Sequence, residues 1–567
     1  MCCVAKIYSS ILNARLQKYL EANNLLVDEQ NGFRAARSCV DHLFTLCTIL
    51  RNRKSLNLQS FVCFVDYTRA FDSVDRVLLL YKLSRFGIHG HMYNAISALY
   101  KDPRARVTIS QFSTDWFECS IGVKQGDTIS PTLFAIFVND LADELKQAGL
   151  GINITNDLSI SCLFYADDIV LLAESEEKLQ DMLSIVDLWC KKWRLDVNLT
   201  KTNVMHVRKK HIQKSRFVFI LGNKIVNYCS NYRYLGNTLN EYLNFEFTTQ
   251  IQAENAGRAL GMLQTKMIKN GGFPLKVFDF LYAATVCAVS DYGSEVWGGR
   301  EYPPLQKLHN RAMRGFLGVN KFAPTPAVLS DMNILEPRSR TQIKMVAQFH
   351  RMAHMQDSRL TKKIFQWDYN LNEAGTVKTW STDVKGVFIR NNCANLFSIN
   401  ANFHRKMVAQ DLKSSLSKGD QKKWEKEARK MKKLKTYVKI NNFNNDKLYL
   451  CKALPFAQRM FMAKIRLGIL PLHIETGRHK TPHTPENERV CKVCLNGEIE
   501  NELHFLLKCN FYSELRQYLN VIIQSSGLQN SNDDEKLFFL LNDDIAVKST
   551  GKYIIAAYDK RSKFLFK

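Results

Sequence analysis

The adjacent carboxylates Asp167 and Asp168 constrain the fold of this chain more than any other feature. They lie between the apolar runs 162–164 and 169–172, a pattern that predicts a strand-turn-strand hairpin with both acids at its tip. Two like charges side by side resist ionisation, so the tip makes physical sense mainly if divalent cations neutralise it. An Asp-Asp pair is more often a plain surface turn, but the flanking apolar strands favour the hairpin.

A third carboxylate, Asp66, ends the apolar run 61–65, which predicts another buried strand. We expect the two strands to bring Asp66, Asp167 and Asp168 to one point and to form a site for two Mg²⁺ ions. Such a site suits phosphoryl transfer, because one ion activates the attacking hydroxyl while the other steadies the departing pyrophosphate.

The charge of the chain favours a polyanionic partner. Its 79 Lys and Arg outnumber 54 Asp and Glu, giving a formal net charge of +25 over 567 residues. Charge alone would also fit ribosomal-type or membrane-surface binding. The 15 Cys are dispersed, several within apolar runs, which is typical of a reduced intracellular protein. The sequence contains neither a secretory signal nor an apolar stretch long enough for a bilayer, so we expect a soluble protein without a membrane partner.

Helical and strand patterns alternate as far as about residue 215, which predicts an α/β or α+β arrangement with acidic tips on one face, and we expect α+β. From about 245 to 350 the pattern is mainly helical, and beyond 350 the chain is polar and less periodic. Within that last part, residues 422–439 carry nine basic residues against two acidic ones. This stretch is either a solvated helix face or a nucleic-acid surface, and the sequence does not decide between them.

Four blocks in order resemble the reverse transcriptase of a non-LTR (LINE-type) retrotransposon. They are residues 31–38 (NGFRAARS), 64–72 (FVDYTRAFD), 122–131 (GVKQGDTISP) and 164–168 (FYADD). The resemblance implies a right-hand polymerase with an antiparallel palm sheet, a helical thumb and a C-terminal helical region with a zinc knuckle.

The implied division has four segments. Residues 1–245 would be partial fingers and palm, 246–350 a helical thumb or connection, 351–485 a basic helical region, and 486–567 a zinc-knuckle module.

The resemblance implies roles for residues around the carboxylates. Asp66 and Asp167 would be the principal Mg²⁺ ligands with Asp168 in support, and Mn²⁺ is an alternative ion. The main-chain carbonyl of Tyr67 would complete one coordination shell. Phe71 would lie under the incoming sugar, where its ring would exclude a 2′-hydroxyl, although a core aromatic is the other interpretation.

Further residues match blocks that bind the incoming nucleotide. Gln125 and Gly126 would lie along the nucleotide and template, since glycine lets the backbone approach a ligand closely. Arg34 and Arg37 would hold the triphosphate, because a guanidinium fork suits phosphate oxygens. An exposed charge is nearly as good an interpretation of Arg37. Lys201 would neutralise or protonate the leaving pyrophosphate, although a lone Lys is more often a surface residue.

A second candidate site lies near the C-terminus, where Cys491, Cys494, His504 and Cys509 form C-x₂-C-x₉-H-x₄-C. Three thiolates and one imidazole are a closed tetrahedral set that suits structural Zn²⁺. Residues 498–507 have a helical pattern and would present His504 and Cys509 together. Chance clustering among 15 Cys is the alternative.

These features predict an RNA-directed DNA polymerase that extends a DNA 3′-hydroxyl on an RNA template with deoxynucleoside triphosphates. The chain resembles a copy shortened at its N-terminus, so the alternative is a catalytically impaired, nucleic-acid-binding remnant. Telomerase or a group II intron maturase is a weaker third interpretation. We expect the protein in the nucleus and cytoplasm, with the target DNA as primer, and the sequence leaves the oligomeric state open.

Overall fold

The structure is a computed structural model, and it describes residues 3–101, 103–399, 405–441, 448–451 and 454–566. The chain folds into two compact units that alternate along the sequence. The first unit comprises residues 1–248, 293–297 and 345–405, and the second comprises 249–292, 298–344 and 406–567. The predicted division at residues 245, 350 and 485 concerns functional modules and stays a prediction.

The helices of the described residues are numbered here in chain order. Their bounds are α1 Cys3–Ala22, α2 Cys39–Ser55, α3 Arg76–Arg85, α4 Gly90–Leu99, α5 Ser130–Gln147, α6 Glu176–Trp193, α7 Glu246–Lys269, α8 Leu275–Leu281, α9 Ala288–Ser290, α10 Ser294–Trp297, α11 Pro303–Leu317, α12 Thr325–Met332, α13 Pro337–Ala353, α14 Leu360–Glu373, α15 Trp380–Arg390, α16 Arg405–Lys430, α17 Lys435–Ile440, α18 Leu448–Cys451, α19 Phe456–Arg466, α20 His473–Thr476, α21 Ser513–Ser525, α22 Asp533–Asn542 and α23 Ala546–Leu565.

The strands that the structure describes all belong to the first unit. Their bounds are β1 Ser60–Val65, β2 Arg104–Ala105, β3 Thr108–Ile109, β4 Phe112–Ser113, β5 Phe117–Glu118, β6 Ile152–Thr155, β7 Leu158–Ile160, β8 Cys162–Tyr165, β9 Asp168–Ala173, β10 Asn203–Val207, β11 Phe219–Leu221, β12 Lys224–Tyr228, β13 Asn231–Tyr234 and β14 Asn237–Asn240.

The main sheet has six strands in the order β11-β12-β10-β1-β9-β8. All its neighbours are antiparallel except β10 and β12, which run parallel, so the predicted antiparallel sheet is correct for all pairs but one. The mixture of sheet and helix agrees with the predicted α+β class. The strand that ends at the first carboxylate, β1, lies at the centre of the sheet.

The strand β1 is buried along its whole length because the sheet is covered on both faces. Phe61, Cys63 and Val65 share a core with the apolar residues of α5 and α6. On the other face, the Phe64 ring stacks on Tyr232 with the centroids 4.0 Å apart. A strand packed on two sides is held rigidly, and so is the residue that follows it.

The second unit is helical in its described residues, apart from a short bridge at 490 and 499. One core joins residues of α7, α11 and α12 with residues of α16 to α23. Inside it, the guanidinium of Arg466 donates to both carboxylate oxygens of Asp331, at 3.1 and 3.2 Å, and the hydroxyls of Tyr437 and Tyr449 donate to the same carboxylate. Removing one partner of such a buried pair costs about 3–5 kcal/mol, so this network fixes how the helices pack.

Candidate active site and metal centre

The three predicted carboxylates lie together at the end of the central strands. Val65 of β1 pairs with Ile169 of β9, so the next antiparallel position sets Asp66 opposite Asp168. Asp167 lies in the turn of the β8–β9 hairpin, next to Ala166, whose φ of +59° gives the tight reversal. The hairpin and the strand therefore bring three acids into one neighbourhood, close enough for their charges to affect one another's pKa.

The carboxylates are electrostatically unbalanced. Burial, together with the neighbouring Asp167 and Asp66, raises the pKa of Asp168 to about 6. Burial also raises the pKa of Asp167, and the charge of Asp66 adds to that effect. Lys201 opposes both shifts, with its Nζ 3.6 Å from Oδ2 of Asp66. One ammonium does not balance three carboxylates, and an all-oxygen donor set of this charge fits Mg²⁺ or Mn²⁺.

The loop that carries Lys201 also orients the backbone around Asp66. The Asn198 amide donates to the carbonyl of Asp66 at 2.7 Å, and the Thr68 amide donates to the carbonyl of Asp196 at 2.8 Å. Tyr67 and Val197 thus form an antiparallel bridge, in which the hydrogen bonds are made by the residues on either side of Tyr67 and not by Tyr67 itself. The carbonyl of Tyr67 therefore points away from this loop.

The other predicted nucleotide-binding residues lie in the segments next to the carboxylates. The Phe71 ring stacks on Phe134 of α5, with centroids 4.9 Å apart, and remains partly exposed. The Gln125 amide donates to both carboxylate oxygens of Asp72 at 3.0 Å. Gly126 is exposed with a φ of +75°, a conformation that favours glycine. The Phe71 and Gln125 blocks are thus connected directly.

The two predicted triphosphate-binding arginines are already paired inside the protein. Arg34 binds both carboxylate oxygens of Glu21, at 2.7 and 2.8 Å, and donates to the carbonyl of Val27. Arg37 pairs with Asp28 at 2.5 Å. Only 7% and 6% of the two side chains are exposed, so the interpretation of Arg37 as an exposed charge is wrong. A role with triphosphate stays a prediction that would require these pairs to open.

Sequence reasoning missed Gln30, whose side chain holds the hairpin turn. The Gln30 side-chain oxygen accepts from the amides of Ala166 at 3.2 Å and Gly32 at 2.8 Å. The backbones of Gln30 and Phe164 of β8 also form a parallel β-bridge, in which the backbone amide of Asn31 donates to the Phe164 carbonyl at 3.0 Å. A Cβ on Gly32 would lie 2.3 Å from the Ala166 nitrogen, so only glycine fits there.

A neutral histidine packs beside the same hairpin. Burial lowers the pKa of His42 to about 3, so its Nδ1 accepts a hydrogen bond from the side-chain Nδ2 of Asn31, 3.2 Å away. The His42 ring lies 5.9 Å from the rings of both Tyr165 and Tyr234. Residues 31 and 32 belong to the first family block, but nothing in the sequence of that block indicates a contact with the distant hairpin.

The four Cys and His residues near the C-terminus also come together. Their ligand atoms all lie within 4.8 Å of one another. Sγ of Cys494 is 3.4 Å from Nε2 of His504, and the sulfurs of Cys491 and Cys509 are 4.0 Å apart. Two thiolates bound to one tetrahedral zinc would be about 3.8 Å apart, so the spacing fits. A hydrogen bond from the Cys509 thiol holds the pKa of Cys491 well below its usual range.

The local structure around His504 differs from the predicted helix over 498–507. Residues 498–501 are extended, and Ile499 pairs with Val490 in an antiparallel bridge. A π-helical turn, His504–Lys508, then presents the imidazole. The extended return brings Oε2 of Glu498 to 2.7 Å from Nδ1 of His504, which leaves Nε2 as the ligand atom.

Glu498 is a supporting residue that sequence reasoning missed, and Glu500 is another. The buried Glu500 carboxylate binds Arg561 of α23 at 2.7 and 2.8 Å and lies 3.9 Å from Sγ of Cys491. The C-terminal helix is thereby tied to the cluster.

In the part of the chain that the structure describes, no helix is both long and apolar enough to cross a membrane.

Comparison with known proteins agrees with the carboxylate geometry. Residues 1–239 match the family described as reverse transcriptase (RNA-dependent DNA polymerase). A probable RNA-directed DNA polymerase from transposon BS of Drosophila melanogaster is 24% identical over 58% of this chain and 37% of the relative. The RNA-directed DNA polymerase from mobile element jockey of Drosophila funebris is 23% identical, over 64% of this chain and 39% of the relative.

A third relative, the Pol polyprotein from the type-1 retrotransposable element R2 of Nasonia vitripennis, is 26% identical over 39% of this chain and 22% of its own length. The chain thus spans well under half of each of these relatives. Among solved structures, apo telomerase from Candida tropicalis is 11% identical with a TM-score of 0.33, covering 71% of this chain and 61% of that one, a likeness too low to define a shared fold. The resemblance predicted from the four sequence blocks agrees with these comparisons: residues 1–239 match the reverse transcriptase family, and the chain is similar to RNA-directed DNA polymerases of mobile elements.

Proposed function

We propose that this chain is an RNA-directed DNA polymerase that extends a DNA 3′-hydroxyl on an RNA template. The observation that carries the proposal is the meeting of Asp66, Asp167 and Asp168 at the ends of β1 and the β8–β9 hairpin, within the reverse transcriptase domain. The substrates would be deoxynucleoside triphosphates, the primer a target DNA end, and the place of action the nucleus and cytoplasm.

Asp66, Asp167 and Asp168 would hold two Mg²⁺ ions, and the Tyr67 carbonyl would add one oxygen ligand. When bound, the ions supply activation of the primer hydroxyl and charge stabilisation for the departing pyrophosphate. Lys201 would place its ammonium near that pyrophosphate, because its Nζ already lies 3.6 Å from Asp66.

The Phe71 ring would select deoxynucleotides by occupying the space of a 2′-hydroxyl. Its stacking on Phe134 supports this role, since a ring held in place excludes a hydroxyl better than a mobile one. Gln125 and Gly126 would line the nucleotide and template, and the exposure of both residues leaves room for a ligand.

Cys491, Cys494, His504 and Cys509 would bind one structural Zn²⁺. Four protein ligands leave no open position, so the ion would stabilise the C-terminal module and take no part in the reaction. The partners of that module would be the template RNA or the target DNA.

Primer extension by the full chain on an RNA template with Mg²⁺ tests the proposal. We expect DNA product from the unmodified protein and none from a variant with Asp167→Ala and Asp168→Ala. The matched control is Asp533→Ala with Asp534→Ala, an adjacent acidic pair on the surface of α22 that is ion-paired to lysines.

Product from the control but not from the Asp167/Asp168 variant supports the polymerase. Equal product from both variants would overturn it. Salt-dependent RNA binding with no extension by any version would instead identify a nucleic-acid-binding remnant.

A further inference from the structure

The structure sorts the nine basic residues of the stretch 422–439 into two groups. Four of them, Lys422, Lys426, Lys430 and Lys432, form no ion pair among the described residues. The other five are paired, as Lys423 with Glu336, Arg429 with Glu425, Lys433 with Glu475, Lys435 with Glu486 and Lys439 with Asp534.

Three of the unpaired residues continue a regular series on α16. Lys418, Lys422, Lys426 and Lys430 recur every four residues and are all exposed. We call these four residues the lysine row. At 1.5 Å per residue, successive lysines rise about 6 Å along the axis, and the row is about 18 Å long. Four residues are slightly more than one turn, so the row winds gradually around the helix.

The other side of α16 is anchored in the second unit, so the row cannot turn inward. Leu412, Leu416, Trp424 and Ala428 are buried there. The Trp424 indole nitrogen donates to a carboxylate oxygen of Glu336 at 2.6 Å, which fixes the rotation of the helix.

The lysine row does not help the helix to fold. Like charges four residues apart repel each other on a helix surface. The acid Glu425, which flanks the row, is occupied by Arg429, with a carboxylate oxygen 2.7 Å from the guanidinium. Lys430 lies in the last turn, where a positive charge favours the helix, but Lys418, Lys422 and Lys426 form no ion pair among the described residues and gain no such benefit.

We propose that the lysine row is a binding surface for the phosphodiester backbone of a nucleic acid. Its step along the helix is comparable to the distance between successive phosphates of one strand, so neighbouring lysines can each meet a phosphate. Lysine ammonium groups are flexible point charges, which suits contacts that do not depend on base sequence. This surface belongs to the second unit, and its function does not require polymerisation.

The test measures binding of the full chain to three labelled ligands of equal length, which are single-stranded RNA, single-stranded DNA and an RNA–DNA duplex. Fluorescence anisotropy is recorded from 50 to 300 mM KCl without Mg²⁺ or nucleotides, so that failure of polymerase activity cannot affect the result. The row variant changes all four lysines to Gln. The matched control changes four exposed, ion-paired lysines to Gln, namely Lys191, Lys435, Lys439 and Lys563.

We expect the row variant to bind at least about tenfold more weakly at 50 mM KCl. Its slope of log affinity against log salt should be shallower by about 3 for a single strand, because each lost phosphate contact removes about 0.7. The ligand with the largest change identifies the strand type that the row contacts.

An unchanged slope in the row variant would overturn the proposal. An equal change in the control would also overturn it, because net charge alone would then explain the binding. A version with Lys→Arg at all four row positions keeps the charge and should bind like the unmodified chain, which guards against a folding defect of the row variant.

Discussion

The two candidate metal-binding clusters of this chain are built in opposite ways. The carboxylate cluster draws Asp66 and Asp167 from positions about a hundred residues apart, and only the pairing of β1 with β9 brings them together. The Cys/His cluster lies within residues 491–509 and is closed by short turns. A site of the first kind depends on the whole sheet, while a site of the second kind depends mainly on itself.

The two clusters also differ in how neighbouring side chains hold and neutralise their candidate ligands. Glu498 bonds to the His504 ring and the Glu500 carboxylate lies beside the Cys491 sulfur, so the sulfur and nitrogen ligands are oriented without an ion. The carboxylates repel one another, and a single lysine opposes that repulsion. We infer that holding the open site costs folding free energy, whereas the closed site stabilises its module. The four predictions below test this contrast.

The substitution Asp168→Asn should separate activity from stability. We expect primer extension to fall roughly 10³-fold, which corresponds to about 4 kcal/mol of lost transition-state stabilisation. Stability without metal should rise by about 1 kcal/mol at pH 7, after allowance for partial exposure. The pKa of Asp168 in the folded protein, about 6, lies above its value in the unfolded chain. The carboxylate therefore begins to lower stability as the pH rises above about 4, and its full cost is reached above pH 6.

Thermal unfolding between pH 4 and 8, with EDTA present, measures the second effect. The stability gain of the Asp168→Asn variant should be absent at pH 4 and complete by pH 7. A variant that is less stable than the unmodified chain at pH 7 would contradict the claim that this site costs folding free energy.

The substitution Glu498→Ala should weaken zinc binding 10- to 100-fold, because the His504 ring loses the acceptor that fixes its orientation. Competition with a chromogenic chelator measures the affinity. The control is Glu486→Ala, another half-exposed acid of the same region, which pairs with Lys435 and not with a ligand. Equal losses in both variants would show that the 2.7 Å contact to the ring has no special effect.

The contrast between the clusters also explains what could be predicted from the sequence. Asp66 was predictable because it follows an apolar run that had to be a buried strand. Asp167 and Asp168 were predictable because they lie in the turn between two such runs. The ion pairs of Arg34 and Arg37 were not, since nothing local reveals that Glu21 and Asp28 fold back onto them.

Pairings between segments far apart in the sequence were, in general, the features that the sequence could not predict. The parallel pairing of β10 with β12 and the contact of Gln30 with Ala166 join segments whose local patterns are unremarkable turns and short strands. The Cys and His ligands followed from spacing alone. The path of the chain between them did not, because the extended residues 498–501 also fit a helical pattern.

The substitution Gln30→Met tests how strongly the open site depends on its surroundings. Methionine has a similar shape but cannot accept from the Ala166 amide, so the turn that carries Asp167 should loosen. We expect extension to fall about tenfold, near 1–2 kcal/mol, with a higher Mg²⁺ requirement. Gln180→Met is the matched control, because Gln180 makes a similar backbone contact, with Ile220 on β11. If the Mg²⁺ requirement stays unchanged, Gln30 does not position the carboxylates.

The smallest expected effect concerns Asp420 of α16. Burial and the nearby Glu336 raise the pKa of Asp420 to about 6, the same value as at Asp168. The Asp420 carboxylate accepts from the Ser339 hydroxyl at 2.9 Å and from the Glu336 amide at 3.3 Å, so it has no need of an ion. Asp420→Asn should leave primer extension unchanged and raise stability by about 1 kcal/mol at pH 7 but not at pH 4. Asp411→Asn, on the exposed face of the same helix, should change neither. Thermal unfolding between pH 4 and 8 measures the gain. Loss of primer extension in the Asp420 variant would contradict the prediction. It would mean that a raised carboxylate pKa marks function at Asp420 as well as at Asp168, although only Asp168 lies opposite Asp66 on paired strands.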